Sequence, residues 1–319
     1  MALHVIVGSG AVGSAVANLL ADQGHVVRIV TRSGSGPERD DVERVAADAT
    51  DADRLTALTH GAAALYNCAN PPYDKWLTDW PPLASSLLTA AERTGAGLVT
   101  MGNLYGYGEV DRPMTEDTPL AATGPKGRMR NRMWADMLAA HDAGRARVTE
   151  ARASDFYGPG PVGTSHLGQY FMPRLLAGKR PLVLQSDLDA PHSWTFIPDV
   201  ARTLVTLAGD DRSWSRAWHV PTAPPVPLRQ MYARMAAIAD VPERGIVVAP
   251  RPMLRVLGLA VPFVRELGEV RHQFVRPFVL DSSAAQETFG LAPTPIEEGL
   301  EAHVRWWQQR QQAVGAVRD

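Results

Sequence analysis

The sequence predicts an α/β fold, a doubly wound parallel sheet joined to a smaller C-terminal α+β substrate lobe. Three observations carry that expectation. From residue 1 to about 160, short β-branched runs alternate with Ala/Leu-rich stretches, the order of successive βαβ units. A glycine-rich run, Gly8-Ser9-Gly10-Ala11-Val12-Gly13, stands directly between the first strand and the first helix. After Gly158-Pro159-Gly160, glycine and proline become frequent and the strands shorten, which marks the smaller lobe.

Taken in order, strands are expected at Leu3 to Val7, Val26 to Thr31, Arg44 to Ala47, Ala63 to Asn67, Leu98 to Met101 and Val148 to Ala151. Each is short and mostly apolar, as a parallel strand buried on both faces must be. The first helix is expected from Ser14 to about Gln23. Short strands follow at Arg180 to Leu184 and Ala217 to Val220, and Trp194 to Leu207 reads as a tight turn and a helix with Asp199 near its start. The last helix, roughly Ile296 to Gln312, carries Glu297 and Glu298 early and Arg305 and Arg310 late, matching the helix dipole. The expected division is a dinucleotide-binding domain over 1–160, completed by about 193–222, and a substrate lobe from 161–192 and 223–319.

A chain of 319 residues with 45% apolar and 21% charged residues can bury one large core. Its 32 basic and 34 acidic side chains are spread along the whole length, so no electrostatic footprint for nucleic acid is expected and a small molecule is the partner. The lone cysteine, Cys68, reads as a buried thiol in a reducing cytoplasm. An apolar strand begins at Leu3, which leaves no space for a secretory leader. The apolar run Val256 to Val264 contains Pro262 and falls far short of the roughly twenty residues of a spanning helix, so no membrane segment is expected. The nine histidines are scattered and Cys68 has no neighbouring ligand type, so no metal site is expected.

The glycine run is the phosphate loop of a Rossmann-type sheet. Gly8 permits the tight turn, Gly10 lets the amides around Ser9, Ala11 and Val12 approach a pyrophosphate, and Gly13 lets the helix pack on the sheet. Where an acidic residue at the end of the second strand would hold the ribose hydroxyls of NAD, this chain has Thr31-Arg32-Ser33. A guanidinium flanked by hydroxyls grips a 2′-phosphate, so NADP(H) is expected over NAD(H). Arg28 lies inside the strand, and Asp48, ending the third strand, is placed to meet the adenine edge.

Further along, Leu104-Tyr105-Gly106, Asp155-Phe156-Tyr157-Gly158-Pro159-Gly160, Thr195-Phe196-Ile197-Pro198-Asp199 and Phe289-Gly290-Leu291-Ala292-Pro293 follow one another in order. Together with the glycine run, this series resembles the extended short-chain dehydrogenase/reductase family, the epimerase/dehydratase-like group, over nearly the whole chain. The resemblance implies a nicotinamide dinucleotide with Cys68, Ala69 and Asn70 running beside its pyrophosphate and ribose, and a homodimer through helices near Leu83 to Arg93 and Arg128 to Ala140. It also exposes two departures. The first two glycines are separated by Ser9 alone, where the family has two residues. The catalytic set is broken as well: four residues before Tyr105 stands Met101 instead of Ser or Thr, and the next helix has no Tyr-x-x-x-Lys pair, its positions being best filled by Arg128 and Arg132.

An arginine cannot release a proton near neutral pH, so it replaces the lysine's hold on a ribose and not the tyrosine's acid role. Arg132 is the candidate for that hold. Tyr105 and Tyr107 are alternative proton donors at the carboxyl rim of the fifth strand, and counting from Tyr107 puts Asn103 in the serine's place. Asp155, Tyr157, His192 and Trp194 are candidate substrate contacts, while Tyr73, Trp76 and Trp80 read better as core than as a pocket wall. Three functions follow. The first is an atypical NADP(H)-dependent reductase of a small organic substrate. The alternatives are a nucleotide-sugar epimerase or dehydratase, and a non-catalytic NADP(H)-binding sensor.

Overall fold

The computed structural model describes residues 1–163 and 165–316, so positions 164 and 317–319 of the expected lobe lie outside the described residues. The first half runs β1 (Leu3–Val7), α1 (Ala11–Asp22), β2 (Val26–Thr31), β3 (Val42–Ala46), α2 (Ala52–Thr59), β4 (Ala62–Asn67), α3 (Trp76–Thr94), β5 (Gly97–Asn103), α4 (Pro125–Asp142) and β6 (Val148–Ala153). The second half continues with β7 (Asp155–Tyr157), α5 (Met172–Leu176), β8 (Leu182–Val183), β9 (Trp194–Phe196), α6 (Ile197–Gly209), β10 (Ala217–His219), α7 (Leu228–Ile238) and β11 (Val247–Val248). It closes with α8 (Arg251–Ala260), α9 (Pro262–Glu266), α10 (His272–Val275), α11 (Ser283–Phe289) and α12 (Ile296–Ala316).

Seven strands form one parallel sheet in the order β10-β6-β5-β4-β1-β2-β3, and the direction of winding reverses at β1 and β4. The fold is therefore the Rossmann-type α/β layer arrangement, with its ligand crevice at the carboxyl ends of β1 and β4. The central strands β1, β4 and β5 are mostly apolar because helices cover both faces, whereas the edge strand β3 carries the exposed Glu43 and Arg44. One face buries Val16, Leu20, Val200 and Leu204 of α1 and α6, and the other buries Trp80, Leu87, Trp134 and Met137 of α3 and α4. A third core, around Phe171, Met231 and Trp307, belongs to the lobe.

Most element ends differ by a few residues from the sequence reading, and two differences bear on packing. The third strand begins at Val42 instead of Arg44, because Val42 is the residue that buries there. The segment of α11, expected in the lobe, packs back on the sheet: Ala285 is fully buried in the first core and Phe289 meets Trp218 edge-on at 4.7 Å. Small side chains on this seven-residue helix let it approach β10 closely.

Candidate active site

The glycine loop divides its labour among three glycines. Gly8 adopts φ +99°, and a Cβ there would come within 2.8 Å of the Ala69 backbone and the Cys68 carbonyl. A Cβ on Gly13 would run into the Gly8 carbonyl oxygen, so α1 can start this close to β1 only with glycine. A Cβ on Gly10 would meet nothing within 4 Å. The space before Gly10 is open, and the amino end of α1 has neither a side-chain cap nor an acidic residue in its first turn. Unpaired amides and the helix dipole thus face an open volume, which is what a dinucleotide pyrophosphate requires. Ser14 Oγ holds the Ser9 carbonyl at 2.9 Å, and the turn at Gly160 packs against Ala11. Cys68 is buried behind the loop, where desolvation pushes its thiol up to about 12, so it is a packing residue and not a nucleophile. Ala69 is half-buried and Asn70 exposed beside it.

At the end of β2 four hydroxyls converge. Ser35 Oγ lies 2.9 Å from Ser9 Oγ, 3.1 Å from Ser33 Oγ and 3.4 Å from Thr31 Oγ1. Arg32 is exposed beside them and makes no ion pair among the described residues, whereas Arg28 is bound to Glu43 and Arg39 to Asp22 and Asp41. Sequence reasoning missed Ser35; the Gly34-Ser35-Gly36 run was the signal, since it lets the chain fold back onto the loop. Asp48 accepts the Thr50 N–H and O–H at 2.9 and 2.8 Å, which hold its carboxyl below the usual range with help from the Arg32 charge.

The rim of β5 separates the two tyrosines. Asn103 Oδ1 accepts the Tyr105 N–H at 3.1 Å, turning the chain so that Tyr105 lies against Trp76 at 5.5 Å and beside Tyr73. Burial pushes both phenols well above their ordinary value, so they are neutral proton donors. Tyr107 is 1% exposed and fully occupied: its hydroxyl donates to His219 Nε2 at 2.7 Å and accepts from Arg152 Nη1 at 3.0 Å. His219 Nδ1 donates in turn to the Asp281 carbonyl at 2.7 Å, and Arg152 Nε binds Glu150 at 2.6 Å. Both hydrogen-bonding positions of Tyr107 are used within the protein, so the expectation that it could donate a proton to substrate is corrected.

The helix after β5 also presents a different face from the one expected. Arg132 is 80% exposed and pairs with Asp136, and Arg128 is exposed as well, so neither reaches the cleft. The inward pair is Lys126 and Arg130. Lys126 is 1% exposed, its Nζ bound to Glu266 and lying 4.5 Å over the Tyr73 ring. The Arg130 guanidinium stacks on Trp76 and Trp80 at 4.7 and 4.1 Å, and burial draws it down to about 10, still charged at neutral pH. Trp76 and Trp80 therefore serve as core and as the platform for this cation. The spacing 126, 130, 133, 137, 140 was the available signal, because Met133, Met137 and Ala140 mark the buried face. Glu269 Oε1 caps the same helix, accepting the amides of Lys126 and Gly127 at 2.8 and 3.1 Å across a gap that a Cβ on Gly124 would fill.

On the lobe side, Asp155 Oδ2 contacts His192 Nε2 at 2.9 Å, and the buried His192 ring lies among Trp194, Phe274 and Phe278. Tyr157 and Trp194 are corrected to lobe core. Tyr157 is 1% exposed and packs on Phe196 and Gly299, while Trp194 is buried and donates its Nε1–H to the Val226 carbonyl. A cavity of about 120 Å³ opens between Tyr105, Thr123, Glu269, His272 and Gln273, and a second of about 10 Å³, the size of one water site, lies behind Asn103, Arg130, Glu150 and Arg152. Among the described residues no group of His, Cys, Asp or Glu side chains could hold a metal ion, and no helix is long and apolar enough to cross a membrane.

An open phosphate cradle at the switch point of a doubly wound parallel sheet, with a lobe over its carboxyl edge, defines a nicotinamide-dinucleotide-binding protein of the extended short-chain dehydrogenase/reductase class. Residues 5–217 match the profile of the NAD dependent epimerase/dehydratase family, and the chain belongs to that family. No curated protein matches it. Solved structures share its fold from end to end. An epimerase from Methanothermobacter thermautotrophicus superposes with a TM-score of 0.80 at 18% identity, covering 99% of this chain and 94% of that one. UDP-glucose 4-epimerase from Thermotoga maritima, solved with UDP-glucose, gives 0.80 at 18% identity over 97% and 99% of the two chains. dTDP-glucose 4,6-dehydratase from Bacillus anthracis, in complex with NAD, gives 0.80 at 14% identity over 98% of each.

Proposed function

We propose that this chain is a cytoplasmic NADP(H)-dependent enzyme of the epimerase/dehydratase type, with a nucleotide-linked sugar as its substrate class. The unpaired Arg32 within the cluster of Ser9, Thr31, Ser33 and Ser35 carries the cofactor assignment: a cation and hydroxyl donors suit a phosphomonoester on the adenosine ribose. Gly8, Gly10 and Gly13 would hold the pyrophosphate, and Cys68, Ala69 and Asn70 would line the ribose beyond it. The nicotinamide supplies a site that accepts or gives a hydride. The substrate class is supported by the fold relatives, whose solved complexes hold UDP-glucose in one case and UDP-glucuronic acid in another. In this reading Lys126 and Arg130 stabilise negative charge from the α4 face, Asn103 fixes Tyr105, and Tyr105 exchanges a proton with the substrate oxygen. A homodimer through the outer faces of α3 and α4 belongs to the same reading and is tested by sedimentation equilibrium.

One observation favours a second reading, reduction of a small, fairly apolar substrate. Burial holds the phenols of Tyr73 and Tyr105 neutral, and the Arg130 charge offsets only part of this for Tyr105, so the site is better equipped to give a proton than to take one from an alcohol.

The test is fluorescence titration of the protein with NADPH and NADH, repeated on Arg32→Glu, followed by UDP-glucose and dTDP-glucose with each oxidised cofactor. Tight NADPH binding that Arg32→Glu weakens by more than tenfold is the expected result, from losing a charge-assisted phosphate contact worth about 1.5–3 kcal/mol. Equal affinity for both cofactors removes the phosphate assignment, and no binding of either removes the redox reading altogether.

A further inference from the structure

Of the large apolar side chains that the fold leaves exposed among the described residues, half lie in one stretch of α8 and α9: Met253, Val256, Leu257, Leu259, Val261 and Phe263. Leu259 is 85% exposed and Val256 69%. An ordinary surface helix turns its apolar stripe inward. In α8 the order is reversed. The only buried residue is Gly258, where a Cβ would meet the backbone of Arg265 on α9 at 3.4 Å, while the broad arc through 253, 256, 259 and 260 faces out. Arg251 and Arg255 stand exposed along one edge of that arc, and Arg265, 63% exposed, stands in the last turn of α9. No acidic residue occurs from Arg251 to Arg265. The next one, Glu266, is turned inward onto Lys126 and lies 3.9 Å from Arg265.

An exposed apolar arc with a purely basic rim has the chemistry of a helix lying in the boundary between anionic headgroups and acyl chains. A second copy fits poorly, because an isologous pairing of the same arc would bring together two rims of arginines with no carboxylate from Arg251 to Arg265 to pair with them. We propose that the α8–α9 hairpin docks this protein on the surface of an anionic lipid bilayer, its apolar arc at the acyl boundary and its arginines among the phosphates. Neither helix crosses the bilayer; both lie along it. Because Phe263 packs on Tyr73 at 5.9 Å and Glu266 holds Lys126, the docked surface adjoins the mouth of the cleft. The inference needs neither the cofactor nor the substrate assignment.

The experiment is co-sedimentation of the full chain with vesicles of phosphatidylcholine alone and of phosphatidylcholine mixed with phosphatidylglycerol, alongside sedimentation velocity without lipid. Binding to the mixed vesicles is expected, weaker by about tenfold or more on phosphatidylcholine, in the double variant Val256→Glu/Leu259→Glu and in Arg251→Glu/Arg255→Glu. Both pairs are exposed, so thermal melts should stay as in the parent. No binding to either vesicle, equal binding to both, or binding retained in Val256→Glu/Leu259→Glu overturns the proposal. A dimer that this variant dissolves, without lipid binding by the parent, assigns the face to a second copy instead.

Discussion

At the scale of single residues, the glycine loop gives two opposite predictions from one substitution type. Gly10→Ala meets open space and should leave the melting temperature unchanged while weakening NADPH binding, because the new methyl enters the volume proposed for the pyrophosphate. Gly13→Ala forces its methyl against the Gly8 carbonyl and should cost about 1–3 kcal/mol of stability by urea unfolding. Tyr105 and Tyr107 diverge just as sharply. Tyr107→Phe leaves buried Arg152 and His219 each short of a partner and should cost about 1–3 kcal/mol while sparing cofactor affinity. The two tyrosines are indistinguishable in the sequence, since both follow the same strand. What separates them arrives from far away: His219 is 112 residues distant along the chain and Arg152 is 45. The glycines were legible because their roles depend on neighbours within the same turn.

At the scale of elements, α4 is the informative helix. Its register decides which cations face the cleft, and a shift of two residues from the position inferred by motif alignment moves the pair from Arg128 and Arg132 to Lys126 and Arg130. Lys126→Met should lower stability by about 1–3 kcal/mol, because Glu266 and the Tyr73 ring both lose a buried cation. Arg132→Ala, which removes an exposed i,i+4 pair with Asp136, should change it by less than about 0.5 kcal/mol. Urea titrations of both variants side by side check the register directly; a larger loss at Arg132 would contradict it. The register escaped motif counting because the family pattern is anchored on a tyrosine that this helix lacks. The periodicity of its methionines holds the same information in another form. The short helix α11 shows the opposite limit, since nothing in its composition announces which core will receive Ala285.

For the whole molecule, buried neutral histidines set the acid limit of stability. Burial holds His303 down at about 4, against an ordinary value of 6.5. Above pH 6.5 the ring is neutral in both folded and unfolded chains and costs nothing. As pH falls from 6.5 toward 4 the unfolded chain takes up a proton that the folded chain refuses, so stability is lost over that window and levels off below it. His303 alone can account for as much as about 3 kcal/mol, and His4 and His166, also held at about 4, act in the same direction. Melting temperatures measured from pH 7 to pH 4 should fall steeply, and His303→Gln should flatten part of that fall; a flat profile in the parent would show that these rings are not held neutral.

The sequence by itself determined the alternation of strands and helices, the phosphate loop with its three glycine roles, the basic end of β2 and the absence of a tyrosine on α4. All of these are written in local spacing, because strand period, helix period and turn chemistry act over a few residues. Tertiary structure alone decided which tyrosine reaches the cleft, that Arg130 rests on Trp76 and Trp80, that Ser35 completes the hydroxyl cluster, that Glu266 and Glu269 close over the amino end of α4, and that α8 carries its apolar face outward. Local spacing hints at two of these, the Gly34-Ser35-Gly36 run at Ser35 and the methionine period at Arg130, but the partner of each side chain depends on which distant groups desolvate or satisfy it, and desolvation is a property of the packed molecule.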